Sequence, residues 1–127
     1  MNRSVYINYL NFIRKVGRPM SEINDGSDEI ALQPDDALFA IGLLENSHLP
    51  ILGGEIVSED KKGQLIYAIY LWGGEYCYLD WSCDKSEFTD NTEEYITASY
   101  ELAKEKIIIA SNVAKQLKKK CYIVLVV

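Results

Sequence analysis

Histidine occurs once in these 127 residues, at His48, and the three cysteines, Cys77, Cys83 and Cys121, have no CxxC spacing. A Cys-His nucleophile pair therefore has little to draw on, and the cysteine spacing matches no zinc finger or ribbon, so no cofactor or metal is expected. Basic residues are also in deficit: 13 Lys and Arg face 19 Asp and Glu, for a net charge of −6. Nucleic acid and anionic membrane would repel such a surface, whereas a basic protein would be drawn to it. No run approaches the roughly 18 apolar residues needed to cross a bilayer, and the N-terminus lacks a signal-peptide pattern. With an odd number of thiols, this reads as a cytoplasmic protein holding its cysteines reduced. Neither Gly53-Gly54 nor Gly73-Gly74 stands in a phosphate-loop context; they read as a bulge and a hairpin turn.

What the chain does have is one normal core and one unusual strip. The composition, 48% apolar and 25% charged, is that of a globular protein of one domain, residues 1–127. Both tryptophans, Trp72 and Trp81, fall between Gln64 and Cys83, together with Tyr67, Tyr70, Tyr76 and Tyr78, and Glu75 and Asp80 lie among them. Aromatic rings give large contact area with little rotamer entropy to lose, which suits a binding surface.

Periodicity divides the chain into helices and strands. Val5, Tyr9, Phe12, Ile13 and Val16 recur at helical spacing over Ser4 to Val16, with Gly17 as a stop. Glu29 to Leu32 reads as a short strand. Pro34, Asp35 and Asp36 open a second helix, Asp35 to Asn46, apolar nearly all round and so central to the core. His48, just past its end, reads as a capping residue rather than an acid or base. Three strands should follow as a meander: Ile51 to Glu59, Gln64 to Trp72 and Glu75 to Cys83, turning at Lys61-Lys62-Gly63 and Gly73-Gly74. Asn91 with Glu94 resembles a capping box for a long helix striped by Ile96, Tyr100, Ala103, Ile107, Ala110, Ala114 and Leu117. A break near Ser111 stays open, because Ile107 to Ile109 is β-branched. Cys121 to Val127, apolar throughout, should lie mid-sheet. The expected fold is α+β: an antiparallel sheet of four or more strands with about three helices on one face.

Strand alternation would turn Cys77, Leu79, Trp81 and Cys83 inward and Tyr76, Tyr78, Asp80 and Ser82 outward. Joined by Tyr70 and Trp72, the outward set makes an aromatic patch rimmed with acids, and patches of that kind mark partner sites. The candidate contact residues are Glu55, Tyr70, Trp72, Tyr76, Tyr78, Asp80 and Asp84. Trp72 is balanced between core rim and interface. Two rival uses remain: a small-ligand or peptide module on the aromatic face, which would need a concave pocket, and a hydrolase working through Glu55 with Asp80 or Asp84, whose carboxyls would have to converge with shifted pKa values.

Four segments in order, Ala37 to Glu45, Pro50 to Ile56, Tyr78 to Lys85, and Glu94-Tyr95 with Ser99, Ala103 and Ile107, resemble the immunity protein 40 family of bacterial polymorphic toxin systems. Glu55 departs from the pattern by acid-for-acid exchange, and Gln64 to Tyr76 is longer and more aromatic. The resemblance implies a small cytoplasmic α+β protein, not an enzyme, that binds and neutralises a cognate toxin. Acidic charge would speed its association with a basic nuclease toxin.

Overall fold

The computed structural model describes residues 3–83 and 92–127. Helix α1 (Arg3–Val16) buries Tyr9 and Ile13 and stops at Gly17, where a Cβ would overlap the Ile30 side chain and crowd the Ile13 and Ala31 carbonyls. The chain then makes strand β1 (Arg18–Pro19), a 3-10 turn (Met20–Glu22) and strand β2 (Ile30–Leu32). Helix α2 (Pro34–Ser47) starts with proline and two aspartates in its first turn and buries Ala37, Ala40, Ile41 and Leu44. It ends at His48, held in the left-handed region with φ 57° and donating its amide to the Glu45 carbonyl.

Strands β3 (Gly53–Glu59) and β4 (Leu65–Tyr67) form the expected hairpin. Asp60 Oδ1 accepts the amides of Lys62 and Gln64 at 2.8 and 3.0 Å, and Gly63 supplies the positive φ of the turn. Beyond Tyr67 the expectation fails. Ala68–Trp72 is a short helix, α3, and Gly74–Leu79 is a 3-10 helix, leaving only Trp81–Ser82 as strand β5. The second predicted strand had apolar residues on both faces, and helical spacing explains them: Ala68 and Trp72, four apart, are buried together while Tyr70 between them is exposed. β5 pairs with β3 rather than β4, so the three-stranded meander reduces to a hairpin and a returning strand.

Helix α4 (Thr92–Leu117) runs without a break through Ser111, and Asn91, its expected cap, lies outside the described residues. Its buried stripe includes Ile96, Tyr100, Ala103, Ile107, Ala110 and Ala114. Strand β6 (Tyr122–Val126) then enters mid-sheet between β2 and β3, as its unbroken apolar run requires. The six strands are antiparallel, ordered β1-β2-β6-β3-β4 with β5 also on β3, which makes the fold α+β. One sheet face, with Leu32, Ile56, Ile123 and Leu125, packs under the long helices and under Trp72, Leu79 and Trp81. The other carries a smaller cluster of Ala31, Val57, Leu65, Tyr122 and Val124 with Met20 among them.

Two polar clasps hold these layers. Ser99 Oγ accepts the Ile51 amide at 3.0 Å, and the Tyr100 hydroxyl donates to the Leu44 and Leu49 carbonyls, so α4 fixes the α2–β3 connection. Burial, with the charges of Glu45 and Glu93, pushes the Tyr100 phenol up to about 12. On the opposite face the Arg18 guanidinium pairs with Glu22 and Glu59, donates to the Gly63 carbonyl at 3.0 Å, and lies 5.6 Å from the Tyr122 ring centre. Tyr122 donates to the same Glu59 carboxylate at 3.0 Å. These contacts tie β1 and the Met20 turn across β6, β3 and the hairpin.

Gly53 and Gly54 are not a bulge; they are paired residues of β3, with β6 on one side and β5 on the other. Glycine is required by close approach, since a Cβ at Gly54 would clash with the Trp81 ring and one at Gly53 would strike the Trp81 carbonyl. Gly54→Ala should therefore destabilise the fold by about 1–3 kcal/mol through overpacking. Gly42→Ala, at an exposed site of α2 where a Cβ meets nothing within 4 Å, should stabilise by about 0.5–1 kcal/mol. Paired urea denaturation curves check both signs.

Candidate functional site

The site is built where the edge of β3 lacks a strand. β5 covers that edge at Gly53 and Gly54 and β4 at Val57 to Glu59, which leaves Glu55 and Ile56 between them. The gap is closed by a side chain: Asp80 Oδ1 accepts the Ile56 amide at 2.9 Å. Leu79 and Trp81, on either side of Asp80, are both in the core. Asp80 itself is extended (φ −71°, ψ 144°), so alternation holds locally and turns its carboxyl away from them.

Glu55 shares the open sheet face with Val57, and Glu29, which precedes β2, is close enough to feel it. Burial raises the Glu55 carboxyl above its ordinary range, and the charges of Glu29 and then Asp80 raise it further. Burial also raises Asp80, partly opposed by the Ile56 amide it accepts. Among the described residues no ion pair involves Glu29, Glu55 or Asp80. Leu52, Gly53, Glu55, Asp80, Ser82 and Val126 line a shallow open groove of about 400 Å³ here. A second open groove, of about 370 Å³, runs along β4 past Ile23, Leu65, Tyr67 and Tyr70. The Tyr67 and Tyr70 rings meet edge-to-face at 6.1 Å, and the Tyr67 phenol is raised by burial and by the charges of Glu55 and Glu29.

The candidate residues separate accordingly. Glu55 and Asp80 come together, and Tyr70, 74% exposed, joins them through Tyr67. Trp72 belongs to the core: it is 9% exposed, with its indole nitrogen donating to Ser58 Oγ at 3.3 Å. Tyr76 is half-buried edge-to-face on Trp72, not turned outward, because a 3-10 helix repeats every three residues rather than two. For the same reason Cys77, expected inward, is exposed. Tyr78 is 54% exposed beside Tyr76, with its carbonyl accepting from Lys106. Asp84 lies outside the described residues.

Glu29 and Tyr67 were missed. Tyr67 carried a signal in the two-sided apolar character of its predicted strand; Glu29 carried none, because β6 lies between β2 and β3 and no local pattern announces that order. Among the described residues no group of three or more His, Cys, Asp or Glu is arranged to hold a metal ion. Nor is any helix among them long and apolar enough to cross a membrane.

Charge at this site opposes folding. A carboxyl with a raised folded-state pKa contributes stability while protonated, and that contribution is lost as pH rises through the raised value. Glu55→Gln should therefore melt above the wild type at about pH 7, with the difference closing toward about pH 4, where Glu55 is itself neutral. Scanning calorimetry across that range reads the sign.

Compared with known proteins, the chain is similar to immunity protein 40 over residues 19–127, a span that holds every strand from Pro19 onward, α2, α3 and α4, and leaves α1 outside. No curated protein and no solved structure matches it. The family span includes both grooves and the carboxylates between them. With most of its length matched, this chain belongs to the immunity protein 40 family.

Proposed function

We propose that the protein binds a cognate polymorphic toxin in the bacterial cytoplasm and neutralises it through the acidic and aromatic surface around Glu55 and Tyr70. The observation that carries this reading is a pair of carboxyls, Glu55 and Asp80, raised by burial and in no ion pair among the described residues, with Tyr67 beside Glu55 and Tyr70, 74% exposed, against Tyr67. A side chain whose charge weakens the fold, as argued for Glu55, is retained where it serves a partner, and a basic toxin such as a nuclease would supply the opposite charge. Tyr70 and Tyr78 offer amphipathic contact area, each on a segment packed against the body of the domain.

The rival readings have less support. Glu55 and Asp80 do line one groove with raised pKa values, as a hydrolase would need, but one Asp80 oxygen is taken up by the Ile56 amide. The grooves have ligand-like volumes, yet both are open to solvent along their length rather than concave enough to enclose a small molecule.

Coexpression with the C-terminal domain of a toxin encoded immediately upstream should give a complex that co-purifies and restores growth. Tyr70→Ala and Tyr78→Ala should each weaken that complex with little change in melting temperature; unchanged affinity in both would overturn the assigned surface. Asp80 is a poor probe for this purpose. Asp80→Ala should cost about 1–3 kcal/mol by stranding the Ile56 amide, measurable by urea denaturation.

A further inference from the structure

The groove along β4 combines three properties that bear on what it holds. Its floor is apolar and aromatic, formed by Ile23, Leu65 and Ile66 with the edge-to-face pair Tyr67 and Tyr70. Acids stand on the same sheet face beside it: Glu55 lies two residues from Val57, the register partner of Tyr67, and faces Val124, which pairs with Ala31 two residues beyond Glu29, and both charges reach Tyr67. The Arg18 guanidinium, which reaches the β3–β4 hairpin, is already engaged by Glu22, Glu59 and the Gly63 carbonyl. Asp60, at the groove's end, adds a further carboxylate, of which one oxygen accepts the turn amides of Lys62 and Gln64.

An apolar stem carrying a planar cation answers all three. Its methylenes would lie on Ile23, its face against the tyrosine rings, and its charge toward Glu55 and Glu29. A neutral apolar side chain would leave the acids unanswered, and an acid would be repelled. Arginine fits better than lysine, because a guanidinium stacks flat on a ring and gives up its hydration more readily than an ammonium. We infer that this groove receives an arginine side chain presented by the toxin, with Tyr67 and Glu29 as recognition residues beside Tyr70 and Glu55. The inference rests on the toxin-binding reading above and adds the chemistry of the contact.

Two measurements test it. In the first, the labelled protein is titrated with N-acetylarginine amide, N-acetyllysine amide and N-acetylglutamine amide, and amide shifts are followed by NMR. Saturable shifts confined to Ile23, Leu65, Tyr67, Tyr70 and Glu55 are expected with the arginine compound, weaker ones with lysine and none with glutamine. All should vanish in the Glu29→Gln, Glu55→Gln double variant, which keeps side-chain shape and should fold at least as stably. Shifts that are absent, scattered, equal for glutamine or retained in the double variant overturn the inference. In the second, the double variant should bind the coexpressed toxin domain at least about tenfold more weakly at low salt. Equal binding by the variant overturns the arginine contact while leaving toxin binding intact, whereas no binding by the wild type overturns the toxin reading and, with it, the partner assigned here.

Discussion

The contact of the Trp81 ring with the bare backbone of Gly54 sets the path of the chain around the candidate site. It anchors β5 on β3 and draws the excursion from Ala68 to Asp80 back to the sheet, with Leu79 buried on one side of Asp80 and Trp81 on the other. The Asp80 carboxylate is thereby delivered to the Ile56 amide, in the gap that β4 and β5 leave open. The arrangement has a cost. The Trp81 indole nitrogen is the one buried side-chain polar atom among the described residues without a hydrogen-bond partner, a loss of about 1–3 kcal/mol. A ring of that size over a glycine is kept in spite of it.

The open sheet face treats charge in two opposite ways. Around Arg18, cation and anions are matched: two glutamates, a carbonyl and a tyrosine ring surround one guanidinium, and the cluster serves the fold. Around Glu55, the charges of Glu29 and Asp80 and burial raise its carboxyl, and no ion pair among the described residues offsets them. Both arrangements sit on the same sheet, so solvent and strand geometry do not explain the difference. On the proposed reading a partner would bring the opposite charge, and the net charge of −6 would draw it from a distance.

The aromatic strip is likewise two objects. Trp72, with Tyr76 on its edge, fills the core beside Ser58, while Tyr70 looks across the β4 edge to Tyr67. α3 makes this division, since a helix that begins at the strand edge turns Trp72 toward the helical layer and Tyr70 toward solvent. The same five residues as a strand would have placed Tyr70 and Trp72 side by side on one face.

Much of the architecture was legible in the sequence. The stripes of α1 and α4, the Pro-Asp-Asp opening of α2, the Asp60-to-Gln64 hairpin and the apolar run of β6 each carry a local periodicity or turn signal, and each element formed where that signal lay. The immunity protein 40 family was legible as well, from the order of several ordinary segments. The path from Ala68 to Leu79 was not. Five residues of helix and six of 3-10 helix are too short for periodicity to separate them from strand, and their apolar content suits either. By itself, the sequence determined an acidic α+β domain with few catalytic groups and an aromatic segment to spare. Only the tertiary structure decided which rings are buried, and that Glu29, Glu55, Asp80 and Tyr67 share one field, because sheet order and the Trp81–Gly54 contact act between residues that no local pattern connects.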